Sequence, residues 1–264
     1  MKQSKKPWRS FLFFLLVGVV AVFSLLPMQI ELLPGQMEEL GVPLELPIEI
    51  IAMLSLINPL LFIIAGLLIG HFLAERTGFS SFIYDKDRYG KPLMSRLKAV
   101  FKISALLGIV SGVLIVTVDS LLQPFLPNDL HVLDTEATWD VFDLATRLLY
   151  GGIAEELMLR WGVMTLIVFI MWKIFQRSNT QPTSVIVWIG IILSALLFGL
   201  GHYGATAAAA DMTPIIFARM IFLNGFGGIV YGWLYWRKGL EAAMIAHMVT
   251  HLTFVFFSIV TSWM

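Results

Sequence analysis

Residues 183–203 read TSVIVWIGIILSALLFGLGHY, 21 positions with no charge before the closing His202 and Tyr203. A helix needs about 20 apolar residues to cross the hydrocarbon layer of a bilayer. Runs of this kind recur near 11–27, 50–73, 101–122, 142–176, 214–236 and 240–262. None alternates as a barrel strand would, and in lipid the backbone must satisfy its own hydrogen bonds, so the runs predict helices. The run at 142–176 is too long for one ordinary span and is either a tilted or bent helix or two in succession. The expected fold is therefore an all-α, polytopic transmembrane helical bundle with seven or eight spans.

Composition agrees. Of 264 residues, 58% are hydrophobic and only 14% charged, against about 25% charged in a soluble domain. Eighteen basic residues balance eighteen acidic ones, which gives no reason to expect a nucleic-acid partner. The partners expected are the lipid bilayer and a protein or peptide within it. The chain has no cysteine, which removes disulfides, thiol catalysis and thiolate-bound metals.

Lys2, Lys5, Lys6 and Arg9 precede the first apolar run. A secretory signal would look similar, but Pro27-Met28-Gln29 stands where small cleavage-site residues would be, so an uncleaved first span is expected. Basic residues mark cytoplasmic loops. The first loop holds Glu31, Glu38, Glu39 and Glu45, whereas the second holds Arg76, Lys86, Arg88, Lys91, Arg96, Lys98 and Lys102. The third loop, Asn128 to Asp140, is acidic, and Lys173, Arg177, Arg237 and Lys238 mark the basic side again. The N-terminus is expected in the cytoplasm of a bacterial cell, in its plasma membrane. Within the second loop, 79–102 mixes Phe82, Tyr84, Leu93 and Leu97 with basic residues, and reads as an amphipathic surface segment or an ordinary positive loop. Residues 1–139 read as N-terminal spans and cytoplasmic loop, and 140–264 as the part that holds the chemistry.

Charge inside a span costs roughly 2.5–3.5 kcal/mol on insertion scales and so requires a partner or a purpose. The fourth run contains Gly151-Gly152-Ile153-Ala154-Glu155-Glu156-Leu157-Met158-Leu159-Arg160-Trp161-Gly162. Glu156 and Arg160 are four apart and can pair on one face. Glu155 points about 100° away and is left for chemistry or a second partner. Gly151, Gly152 and Ala154 would admit another helix closely. Asp143 and Arg147, also four apart, read as a structural salt bridge. In the fifth run Phe198 lies four before His202, where its ring can shield and orient the imidazole. In the last run His247 and His251 are four apart and face one way, as the paired histidines of soluble zincins do. Simple span counting puts His202 near the outer end of its helix and His247 near the inner end of its own.

Two carboxylates, a guanidinium and three imidazoles on three spans suit amide hydrolysis. A carboxylate can take a proton from water, imidazoles can hold that water or a metal, and donors can face the developing oxyanion.

The run Glu155-Glu156-x-x-x-Arg160, then Phe198-x-x-x-His202, then His247-x-x-x-His251 resembles the CPBP family, the type II CAAX prenyl endopeptidases with the bacterial Abi-type intramembrane proteases. Asn224-Gly225-x-x-Gly228-x-x-x-Gly232, followed by Arg237-Lys238-Gly239-Leu240, is similar to the family as well. Two departures stand out: Trp161 separates Arg160 from Gly162 where the family has Gly directly, and His251 replaces the usual Asn or Asp. The resemblance covers residues 140 to 262. It implies an intramembrane endopeptidase, metallo- or glutamic, acting on a membrane-associated or lipidated protein or a leader peptide. Glu155 would be the base and His202 its partner, with His247 and His251 the other half of the site. Glu156 and Arg160 would fix the helix. If the chemistry uses Zn2+, Glu155, His202, His247 and His251 would be the tetrahedral set.

The main rival from another class is a proton-coupled transporter, whose buried ionisable groups would relay protons. It predicts paired elements in the two halves, and the first half has no counterpart to Glu155 or His202. A family member that has lost catalysis and serves as an immunity protein or scaffold is the third reading.

Overall fold

The computed structural model describes residues 7–39, 41–43, 45–127, 130, 132 and 141–263. Lys2, Lys5 and Lys6, and most of the acidic loop Asn128 to Asp140, lie outside the described residues.

Among the described residues the regular structure is helical throughout. Helix α1 (Trp8–Phe23) continues after a 43° bend into α2 (Leu26–Glu39). Helices α3 (Ile48–Ser55) and α4 (Ile57–Leu73) form one 26-residue span. A short α5 (Phe82–Tyr89) leads to the long α6 (Leu93–Leu122). The fourth run is a single 35-residue helix, not two: α7 (Val141–Thr146), π-helical stretches Arg147–Ala154 and Leu157–Met164, then α8 (Thr165–Phe175). The wider π-turns absorb its excess length. Helices α9 (Ser184–Gly201) and α10 (Tyr203–Ala209) make the next span, and α11 (Pro214–Lys238) and α12 (Leu240–Thr261) close the bundle. Six spans are long and apolar enough to cross a membrane alone, and a seventh if the bent α1–α2 pair is one span. The chain is a polytopic helical membrane protein, and no eighth span appears among the described residues.

Large apolar side chains such as Leu12, Leu16, Phe62, Phe101 and Ile174 stand outward, where lipid is as good a solvent for them as the core. Association of spans must then come from close packing. Helix α4 meets the π-helical span almost backbone to backbone: a Cβ on Gly162 would lie 2.6 Å from the Gly66 Cα. Helix α6 approaches α12 at Gly108 and Gly112, where added carbons would strike the Ala246 carbonyl at 2.5 Å and Thr253 at 2.6 Å.

The segment 79–102 is neither a free surface helix nor a plain loop. Phe82 and Tyr84 of α5 are buried, and Leu93 and Leu97 belong to the first turns of α6. Glu241 in the first turn of α12 holds α5 in place. Its carboxylate accepts from the N–H groups of Phe82 (2.8 Å) and Ile83 (2.9 Å) and from the Ser81 hydroxyl (2.6 Å). An anion at a helix N-terminus is favoured by the free N–H groups and the dipole.

Candidate active site

The site forms where the π-helical span faces α12 in antiparallel fashion. Gly151 and Gly152 make the approach possible, as their size predicts. A Cβ on Gly151 would lie 2.4 Å from His251 Nε2, and one on Gly152 would lie 2.2 Å from Met248 Cγ. One turn further along, the acidic pair meets His247.

The two glutamates differ in setting. Glu156 has no exposed surface, while Glu155 keeps 14% of its side chain exposed. Glu156 Oε1 lies 3.3 Å from Arg160 Nη1, the i to i+4 pair expected from the spacing, and 2.9 Å from His247 Nδ1. Arg160 also donates through Nη2 to the Gly228 carbonyl at 3.2 Å, and its guanidinium lies between the rings of Phe198 (5.0 Å) and Tyr231 (5.4 Å). Gly228, part of the glycine run of α11, thus receives the arginine while seating α11 on Ala195 of α9. A desolvated cation gains most from such aromatic and carbonyl company.

Glu155 faces the other ring nitrogen: its Oε2 is 3.7 Å from His247 Nε2. The imidazole therefore stands between both carboxylates. Tyr231 stacks on it at 4.4 Å and His251 on its other side at 5.0 Å. The Tyr231 hydroxyl donates to Thr250 Oγ1 at 2.8 Å, and Thr250 donates to the carbonyl of Ala246 or Gly108. Both nitrogens of His251 are buried with no hydrogen-bond partner among the described residues.

The depth mismatch suggested by span counting is resolved by α10. The helix continues past His202 to Ala209, so His202 lies inside the span. Its Nδ1 is 2.9 Å from the Phe198 carbonyl, and the Phe198 ring touches His202 edge-on at 4.9 Å and His247 at 5.8 Å. Phe198 thus orients the imidazole through backbone and ring together.

Glu155, His202, His247 and His251 line one cavity of about 1280 Å3, with Tyr150 and Asn224 in its wall. Gln29, Asn58 and Phe62 from the first half of the chain line it too. Asp143 and Arg147, paired at 2.8 Å, sit on the same cavity.

The four residues named for Zn2+ share this cavity but do not form a ligand set. Among the described residues no three His, Asp or Glu side chains are placed to hold one ion. Within the cavity His247 turns Nδ1 to Glu156 and Nε2 to Glu155, and His202 Nδ1 meets its own helix.

Sequence reading missed three residues that shape the site. Tyr231 was one aromatic among many, and only its spacing from Asn224 and Gly228 on α11 could have singled it out. Asp119 and Arg219 form a buried pair at 2.6 Å between α6 and α11, and Arg219 lines the cavity. The available signal was that Asp119 is the one acidic residue of the run 101–122 and Arg219 the one charge of the run 214–236.

No curated protein and no solved structure matches the chain. Residues 137–253, which take in all three motifs, match the model of the family described as Type II CAAX prenyl endopeptidase Rce1-like.

Proposed function

We propose that the chain hydrolyses a peptide bond in a membrane-associated or lipidated protein, or in a leader peptide, with Glu155 as general base toward water. The observation that carries this is the asymmetry of the acidic pair: Glu156 is sealed and held by Arg160 and His247, whereas Glu155 opens on the cavity. With Nδ1–H of His202 given to the Phe198 carbonyl, Nε2 remains an acceptor that can hold the water. Glu155 takes one proton from that water as its oxygen attacks the carbonyl carbon, and returns it to the amine as the C–N bond breaks. Glu156 fixes His247 with Nδ1 as donor, which turns the Nε2 lone pair toward Glu155 and steadies the transferred proton. His251, with unpaired nitrogens in the cavity wall, can donate to the developing oxyanion.

The protein's orientation is part of the proposal. With α1–α2 as one span and the N-terminus in the cytoplasm, the basic stretches at 76–102, 173–177 and 237–238 all fall on the cytoplasmic side.

The test is a comparison of peptide termini in membranes of cells making the wild type or Glu155→Gln. Termini that appear only with the wild type are expected. Identical termini in both would remove the assignment.

A further inference from the structure

The π-helical geometry ahead of Glu155 carries a residue that the motifs do not include. In an α-helix two residues five apart diverge by about 140° around the axis. A π-turn instead closes on the fifth residue, which brings the two onto one face. Here the Glu155 N–H donates to the Tyr150 carbonyl, so Tyr150 stands directly one π-turn from Glu155. Both side chains line the same cavity. The phenol oxygen is not among the sealed polar atoms, and it makes no hydrogen bond to the described residues. Tyr231 and Tyr235, by contrast, spend their hydroxyls on Thr250 and Thr165.

A tyrosine in a membrane span usually turns its hydroxyl to a partner or to the interface. Tyr150 has no such partner among the described residues and lines the cavity one π-turn from the base. The neighbouring imidazoles are committed differently: His247 faces the two carboxylates and His202 its own backbone. Near Glu155 the cavity wall therefore holds two groups without a hydrogen-bond partner among the described residues, His251 and Tyr150, and of the two only Tyr150 has its polar atom unsealed. Tetrahedral intermediates of acyl transfer are commonly held by a pair of donors, tyrosine among them.

We infer that Tyr150 is a further catalytic residue, whose hydroxyl donates a hydrogen bond to the oxyanion formed on the substrate carbonyl, and that the π-turn exists to aim it there. The role rests on the hydrolytic reading above and adds no proton transfer to it. The phenol keeps its proton throughout, and the bonds made and broken are those of the water attack and amine release.

The experiment uses full-length protein in bilayer nanodiscs and a synthetic peptide spanning the strongest Glu155-dependent cleavage in the membrane termini comparison. Tyr150→Phe removes only the hydroxyl. The expected result is a kcat lower by on the order of 10²-fold, with KM within about twofold and an unchanged amount of folded protein. Wild-type kcat in a folded Tyr150→Phe protein overturns the inference. A fall in KM-type binding alone overturns it as well, because that marks a packing role. If Tyr150→Phe folds poorly, 3,5-difluorotyrosine at position 150 keeps the shape and makes the phenol a stronger donor. A kcat that changes with fluorination supports the role, and an unchanged kcat refutes it. The two levels of the argument separate cleanly: no Glu155-dependent termini means the hydrolytic reading fails, whereas an inert Glu155→Gln beside a fully active Tyr150→Phe means only the tyrosine role fails.

Discussion

His247 Nδ1 lies 2.9 Å from Glu156 Oε1, so the glutamate that the i to i+4 spacing assigns to Arg160 serves the imidazole of another helix with the same oxygen. One buried carboxylate thus ties together two turns of the π-helical span and α12. The consequence is a division of labour between adjacent glutamates that a single substitution at each can resolve.

Glu155→Gln is expected to stop cleavage while leaving the folded, membrane-inserted amount unchanged, since Glu155 has room in the cavity. Glu156→Gln and Arg160→Ala are expected to lower both. Removing one member of a buried pair leaves an uncompensated charge or dipole, at a cost of about 3–5 kcal/mol. Thermal unfolding of detergent-purified protein, followed alongside turnover, distinguishes the two behaviours. Equal melting temperatures for all three variants would contradict the division.

Metal dependence has a direct check. His247 holds both nitrogens against carboxylates, and no triad of ligands is assembled among the described residues. Incubation with a strong Zn2+ chelator is therefore expected to leave the cleavage rate within about twofold of the untreated rate, since hydrolysis by glutamate-activated water needs no ion. Elemental analysis of the same preparation, with and without His247→Ala, accompanies the assay. Stoichiometric zinc lost with His247 would refute this expectation.

Much of the site is legible in the sequence because charge in a span is costly and therefore conspicuous. Glu155, Glu156, Arg160, His202, His247 and His251 stand out from apolar neighbours; Glu155, His202, His247 and His251 line one cavity, and Glu156 and Arg160 are sealed behind it. What stays hidden is what periodicity cannot express. The π-turns carry no local signature, so the shared face of Tyr150 and Glu155 is invisible to a 3.6-residue reading. The second partner of Glu156 comes from 91 positions away. Asp119 and Arg219 pair across 100 positions, and each taken alone resembles an interfacial charge.

Gly151 tests the helix contact that positions His251. A methyl group there would lie 2.4 Å from His251 Nε2, closer than any packing permits. Gly151→Ala is expected to displace the imidazole and cut turnover at least tenfold, with the bundle still folded because α12 can shift locally. Combining it with His251→Ala relieves the clash, so the two effects should not add. Additive losses in the double variant would show that the glycine acts elsewhere.

The Asp119 and Arg219 pair fastens the C-terminal part of α6 to α11, and Asp119 also accepts the Val132 N–H at 2.8 Å. Asp119→Ala leaves Arg219 charged and without that partner on the cavity wall. A loss of about 3–5 kcal/mol is expected, read as a lower melting temperature. Arg219→Lys should retain part of the stability, because the charge survives and the directional Nε contact does not. An unchanged melting temperature in Asp119→Ala would mean that the pair is solvated.

Glu241 anchors α5 outside the wall of the catalytic cavity, so its loss should separate stability from chemistry. Its carboxylate accepts three hydrogen bonds from Ser81, Phe82 and Ile83 through both oxygens. A glutamine offers one acceptor oxygen and turns two donors toward donors. Each buried N–H left unpaired costs roughly 1–3 kcal/mol. Glu241→Gln is therefore expected to loosen the start of α5 and expose the stretch from Gly78 to Lys91 to added trypsin in detergent-purified protein. Cleavage of substrate per folded molecule should stay near the wild-type value, since Glu241 neither lines the cavity nor touches the acidic pair. Limited proteolysis with the turnover assay on one sample decides the matter. Unchanged trypsin resistance would show that α5 is held by Asp85 with Lys91 and Arg96, and that the cap contributes little.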